Sequence, residues 1–218
     1  MYKTLDRDFF ARPTLEVARE LIGKYIVHQI DKRVTLTAKV VETEAYCEND
    51  PACHAYANAR RRLQGLEPKG RSALLFGPPG IAYVYLNYGI HWLFNVVTED
   101  EGVAGAVLFR AVEPIEGLAE MTVLRSSSPK IRRISDLANG PGKLTVALGI
   151  SPDFNGKALT KGPLRLATRD NERAVHVVTS PRIGISQATD LPWRFFEHGN
   201  PFVSQFKPSR STFSSCQI

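Results

Sequence analysis

Cysteine is scarce. The 218 residues contain three, Cys47, Cys53 and Cys216, too few for a disulfide framework. Cys47, Cys53 and His54 are close enough in sequence to suggest a metal site. No second Cys/His pair completes a ligand set, so no metal is expected. No apolar run approaches the ~20 residues that span a bilayer, and Met1 to Asp8 lacks the apolar centre of a signal peptide. The expectation is a soluble, intracellular protein that makes no use of a membrane. There is no internal repeat, no dinucleotide glycine fingerprint and no phosphate-binding P-loop, and no organic cofactor is expected.

What is present is ordinary globular material, 43% hydrophobic and 23% charged, enough chain for one large domain or two small ones. Lys and Arg outnumber Asp and Glu by 28 to 22, a net charge of +6. That excess suggests an anionic partner, nucleic acid first, although many basic proteins bind none.

Alternating Val34, Leu36, Ala38 and Val40 predict a long strand over Arg33 to Tyr46, paired as a hairpin with Tyr25 to Ile30 across the Asp31-Lys32 turn. At its end the pattern breaks into Glu42, Glu44 and Tyr46. A period of two puts all three on one face. Such a row is costly to bury without partners, so it is either a solvated strand end or a site. A helix is expected over Pro13 to Ile22, stopped by Gly23. Cys47 to Pro79 reads as a long polar loop carrying Arg60-Arg61-Arg62, Lys69 and Arg71; the cluster is either a solvated face or a phosphate grip.

Gly77-Pro78-Pro79-Gly80 predicts a rigid turn, followed by two β-forming runs, Ile81 to Leu86 and Ile90 to Val97, around Asn87-Tyr88-Gly89. Tyr88 at this hairpin tip is either an exposed wedge or a ring folded back on its strands. Tyr83 and Tyr85 should share a face, with Val84 on the other. Gly105 to Val112 is a further strand in which Arg110 needs a partner or a ligand. A helix is predicted from Pro114 to about Leu124, short helices at Ile131 to Leu137 and Lys143 to Leu148, and strands at Leu164 to Thr168, Val175 to Thr179 and Arg194 to Glu197. Lys130, Arg132, Arg133 and Lys143 make a second basic patch.

Four ordered blocks carry a family resemblance. They are Val41-Glu42-Thr43-Glu44-Ala45-Tyr46 with His54; Phe76 to Gly80 running into Tyr83 to Gly89 and Asn95; Val107 to Pro114; and Gly140 to Leu144 with, later, Arg182-Ile183-Gly184. Over nearly its whole length the chain resembles the alkyladenine (3-methyladenine) DNA glycosylases. The resemblance implies Glu44 as general base and Arg110 as a residue ordering the water beside it. It implies a base pocket of Tyr46, His54, Tyr85 and Asn95, and Tyr88 as the wedge that replaces a flipped nucleotide. Arg60, Arg61, Lys143 and Arg182 are the candidate contacts to the DNA backbone. The loop between His54 and Phe76 departs from the family's Arg-Thr-Pro-Arg-Asn pattern, which leaves open which arginine meets phosphate. By strand geometry alone Glu42 rivals Glu44.

The expected fold is a single α/β (α+β) domain over residues 1–206: a curved, mostly antiparallel sheet with flanking helices and a protruding hairpin, then a mobile Ser-rich tail at 207–218. The expected partner is double-stranded DNA holding a damaged purine such as 3-methyladenine, 7-methylguanine, hypoxanthine or ethenoadenine, bound by a monomer. No lysine is placed to attack the sugar, so hydrolysis should leave an abasic site with the strand intact. A damage-binding module without turnover and a hydrolase of free nucleosides are the competing readings.

Overall fold

A computed structural model describes residues 1–127, 131–170 and 174–204; Lys130 and the expected tail at 207–218 lie outside them. The alternating residues form the long strand expected of them. This strand, β3 (Thr35–Cys47), is preceded by the short β1 (Tyr2–Thr4) and by β2 (Tyr25–Gln29), which pairs with it from Tyr25↔Lys39 to Gln29↔Thr35. β4 (Ala82–Asn87), β5 (His91–Val97) and β6 (Gly105–Glu116) continue the sheet, and β7 (Leu164–Arg169) closes its other side, in the order β1-β7-β2-β3-β6-β5-β4. β9 (Arg194–Glu197) takes the edge of β3 at Glu42–Glu44 beyond the end of β2, and β8 (Val177–Ser180) pairs with β9. Every pairing among these strands is antiparallel.

The sheet is buried on both faces. On one, α2 (Thr14–Glu20) lays Val17 and Ala18 over Leu36, Ala38 and Val40, while Leu144 of α5 (Pro141–Ala147) joins the same core with Phe94 and Phe109. On the other, Cys53, Ala55, Leu75 and Phe76 pack on Tyr83, Val97 and Ala106. Val84 belongs to the first core and Tyr83 to the second, the alternation the sequence indicated. Gly23 stops α2 with φ 91°, a backbone region open chiefly to glycine. The remaining α-helices are short: α1 (Arg7–Phe10), α3 (Tyr56–Leu63) and α4 (Leu118–Leu124).

Three local expectations are corrected. The segment read as a loop from Cys47 to Pro79 contains α3 and a 3-10 stretch, Arg71–Phe76. Asn58 holds it together, bonding the carbonyl and N–H of Lys69 and the hydroxyl of Ser72. Pro114 does not open a helix. It lies in β6 opposite Ala38, beyond the three residues at which β5 covers the outer edge, so its missing N–H breaks no ladder. The helix begins after Gly117, at φ 79°. Ile131 to Leu137 is reduced to a single 3-10 turn, Ile134–Asp136.

Candidate active site

The β3–β6 ladder is irregular where the site forms. Val40 faces Val112, Glu42 faces Ala111 and Thr43 faces Phe109, so Val41 is the extra residue on one strand and Arg110 on the other. A bulge re-aims the side chain of its extra residue. Here it turns Arg110 between the two carboxylates, Nε to Glu42 Oε1 at 2.9 Å and Nη1 to Glu44 Oε2 at 3.1 Å. All three side chains are buried, so this strand end is not a solvated face.

The two carboxylates are held differently. Glu42 Oε1 accepts from Arg110 Nε, Arg194 Nε (2.7 Å) and Ser204 Oγ (2.7 Å), and its Oε2 from the Ser204 N–H (2.7 Å). Glu44 Oε2 accepts from Arg110 and from the Tyr46 hydroxyl (2.8 Å), while among the described residues its Oε1 accepts only the Ile183 N–H (2.7 Å). A carboxylate offers about four acceptor positions, so Oε1 of Glu44 keeps one open. Arg110, Tyr46 and Ile183, the three groups that hold Glu44, all line one cavity of about 360 Å³. That volume suits a single small ligand.

Aromatic rings make the rest of the cavity wall. Tyr85 stands 4.5 Å from His54, edge to face, and 5.2 Å from Tyr83. His54 Nδ1 lies 3.1 Å from the Tyr83 hydroxyl. Asn95 is buried on β5 opposite Tyr83, and its Nδ2 donates to the Tyr83 carbonyl at 3.1 Å. Arg71 lies over the Tyr85 ring at 5.1 Å. The hairpin tip projects next to the cavity, with Tyr88 86% exposed at φ 49° and Gly89 at φ 68°. A non-glycine residue in this left-handed region costs about 1–2 kcal/mol.

The protonation states follow from the surroundings. Burial, then the Glu44 charge, pushes the Tyr46 phenol well up, so it stays a donor. Burial acts to lower Arg110, but Glu44 and Glu42 outweigh it and its pKa is raised. Burial and then Arg71 lower His54, which favours the neutral ring. Burial raises the Tyr83 phenol to about 12 and the Cys53 thiol to about 12, so neither ionises near neutrality.

Arg110, Tyr46, His54, Tyr85, Asn95 and Tyr88 therefore come together around one cavity, as does Tyr83, which the sequence had placed on the Tyr85 face without a role, and Glu44 lies buried directly behind its wall, bonded to Tyr46, Arg110 and Ile183. The backbone candidates divide. Arg60 and Arg61 lie on α3, Arg60 over the Tyr56 ring and Arg61 bonded to the Glu67 carbonyl, and neither reaches the cavity. Arg71 is the arginine of this segment that reaches the cavity's Tyr85. Lys143 is exposed and bonds Asn139. Arg182, the last of these candidates, is turned inward. Its side chain is fully buried, paired with both oxygens of Asp50 and bonded to the Ala45 carbonyl at 2.9 Å, beneath the rings of Tyr46 and Trp193. It fixes the segment whose next residue, Ile183, holds Glu44. His54 and Cys53 are engaged with Tyr83 and the Ala55 N–H, and no group of three His, Cys, Asp or Glu among the described residues could hold a metal ion. No helix among the described residues is long and apolar enough to cross a membrane.

Comparison with known proteins identifies the family. Residues 8–201 match the family model described as methylpurine-DNA glycosylase (MPG). A protein of Salinibacter ruber, provisionally named 3-methyladenine DNA glycosylase, is 48% identical over 206 residues, 94% of this chain and 98% of its own length. Proteins of the same provisional name from Prosthecochloris aestuarii and Chlorobaculum tepidum are 45% and 42% identical, covering 93% and 94% of this chain and 91% and 93% of theirs. The chain belongs to the methylpurine-DNA glycosylase family, hydrolases that cut N-glycosidic bonds in DNA.

Proposed function

We propose that this protein removes alkylated or otherwise damaged purines, of the 3-methyladenine, 7-methylguanine, hypoxanthine and ethenoadenine type, from duplex DNA by flipping them into the aromatic cavity. A base inside a duplex is out of reach, and extruding it requires a wedge, a stacking pocket and a grip on the backbone. Tyr88 is the wedge. Its exposure and its left-handed φ at a tip that glycine or asparagine would fill more easily support that role. Tyr46, Tyr85 and neutral His54 take the base, and Asn95 meets its edge. A cationic purine over π faces gains about 0.5–2 kcal/mol.

Glu44 polarises a water at its open Oε1 position, and that water attacks the sugar carbon as the base leaves. Arg110 keeps the carboxylate aimed. A positively charged base departs without a strong general acid, which suits a site with one available carboxylate. The observation that carries this reading is the open position on Glu44, held by three groups that all line the cavity. No lysine among the described residues lines that cavity. Attack by water rather than by an amine leaves an abasic site and an intact strand.

The experiment is base release from duplexes bearing single lesions, with alkali added to cut abasic sites, for wild type beside Glu44→Gln. Cleavage by wild type alone, and only after alkali, is the expected outcome. No release from any lesion, with tight binding retained, would replace this reading with a damage-binding module.

A further inference from the structure

Four arginines are buried among the described residues, and three hold a carboxylate. Arg110 holds Glu42 and Glu44, Arg194 holds Glu42 and Arg182 holds Asp50. The fourth, Arg125, is 5% exposed and makes no ion pair among the described residues, and its Nε has no hydrogen-bond partner. It follows directly on α4, close to the carbonyls at the end of that helix, yet its guanidinium bonds none of them among the described residues. Burial lowers its pKa and nothing offsets the shift. A buried cation without a counter-charge is costly enough that its missing partner needs naming.

Arg125 lines a pocket of about 570 Å³ together with His91, Lys143 and Asp136. The Arg125 charge also acts on Lys143, whose pKa is lowered by burial and then by Arg125, so two cations share the space. Asp136 is already engaged, accepting from the N–H groups of Arg132 (3.2 Å) and Arg133 (3.1 Å) and facing the Arg133 guanidinium at 3.6 Å. Its charge does not cancel theirs. The floor is backbone: a Cβ on Gly142 would stand 2.8 Å from the His91 ring, so glycine lets the hairpin root close on this segment. The pocket shares Asn87, Leu93 and Pro141 with the base cavity, and the β4–β5 register puts Asn87, His91 and Leu93 on the same hairpin face as Tyr83, Tyr85 and Asn95, so the two are neighbours beside Tyr88.

We infer that Arg125 and Lys143 form a seat for one backbone phosphate of the duplex, next to the cavity that takes the flipped base. This rests on the glycosylase reading above. A phosphate supplies what the pocket lacks: negative charge and several acceptor oxygens that a guanidinium fork can meet in pairs. A duplex entered by Tyr88 carries its backbone past the hairpin root, within reach of that fork. Arg125 thus has no partner among the described residues of the free protein and gains one on binding.

The test is binding of a lesion duplex by wild type and by Arg125→Met, over a salt series and over a scan in which single phosphates near the lesion are replaced by uncharged methylphosphonates. The expected result has three parts. Affinity for the unmodified duplex falls on the order of tenfold in Arg125→Met. The slope of log affinity against log salt shrinks by about 0.9. One methylphosphonate position weakens wild type and leaves Arg125→Met unaffected. The thermal midpoint of Arg125→Met is expected at or above that of wild type, because an uncompensated buried charge is gone. Arg125→Met that keeps wild-type sensitivity at every position overturns the inference, as does one that melts lower while binding DNA unchanged. A flat methylphosphonate scan, with inorganic phosphate raising the melting point of wild type alone at matched ionic strength, assigns the seat to small anions and overturns the DNA assignment. Base release by wild type is measured in parallel; its absence sinks the glycosylase reading, whereas its presence beside an Arg125→Met that keeps wild-type sensitivity at every position sinks only the phosphate seat.

Discussion

Glu42 and Glu44 share Arg110 from positions two apart on β3, one through Nε at 2.9 Å and the other through Nη1 at 3.1 Å. The shared arginine makes them one unit, and the remaining contacts give them different work. Among the described residues Glu42 accepts four hydrogen bonds, two of them from Ser204 and one from Arg194, against three for Glu44. Glu44 keeps one position open beside the cavity wall. Strand periodicity treats the two residues alike, whereas their hydrogen-bond partners do not.

Substitution should separate them. Glu44→Gln keeps the size and most of the bonds, so melting changes little while base release falls about 10²–10⁴-fold, the usual contribution of a general base. Glu42→Ala leaves Arg110 and Arg194 buried without that partner, and stability should fall by about 3–5 kcal/mol. Melting curves alongside release assays check both. Equal loss of release and equal melting in the two variants would count against the division of roles.

Tyr88 should show the opposite balance of stability and function. Tyr88→Gly relieves the left-handed backbone strain, so its melting point should equal or exceed that of wild type. Its hold on a lesion duplex should weaken by about 1–3 kcal/mol, the scale of one lost stacking interaction. Calorimetry and a binding titration on one preparation measure both. A variant that binds as tightly as wild type removes the wedge from the mechanism.

The sequence made much of this site legible through periodicity. Alternation located β3 and put Tyr83 and Tyr85 on one face, and the Asn87-Tyr88-Gly89 tip announced the hairpin. The hidden features depend on distance along the chain or on register. Nothing local marks Val41 and Arg110 as extra residues, because a bulge is a property of two strands read together. Arg182 looked like a free surface cation because its partner Asp50 lies 132 residues away. α3 was obscured by its own composition, since an Ala- and Arg-rich turn shows almost no apolar stripe. Pro114 misled because helix starts and unpaired strand edges both accept proline.

The Arg182–Asp50 pair should act on turnover through Ile183. A lysine at 182 keeps the charge but cannot fork onto both Asp50 oxygens and the Ala45 carbonyl. Arg182→Lys should lower kcat about tenfold through the loosened Ile183 N–H, with KM for the lesion duplex nearly unchanged, because the buried side chain touches no DNA in the proposed mechanism. Single-turnover kinetics at saturating enzyme isolate this step. A rise in KM with kcat preserved would return Arg182 to the DNA-binding surface.

Two histidines set the acid limit of the fold. His28 is buried, with its Nδ1 2.6 Å from the Leu148 carbonyl, which accepts, so Nδ1 carries the proton of the neutral ring. Burial lowers the His28 pKa from the ordinary histidine value of about 6.5, only partly offset by that bond, and burial lowers His54 as well. Because both folded pKa values lie below the unfolded value, the unfolded chain binds protons first as pH falls. The stability tied to these rings is therefore fully present above about pH 6.5 and is lost as pH drops from there through their folded pKa values. His28 should dominate, since His54 stands at the cavity mouth, where solvent weakens the effect. The melting point should fall between pH 7.5 and 5.5, above the range in which ordinary carboxylates titrate. His28→Gln should start lower and show a flatter pH profile. Base release should decline over the same interval in His28→Gln too, because a protonated His54 repels a cationic purine. An equal fall in melting point for wild type and His28→Gln would place the acid sensitivity elsewhere in the protein.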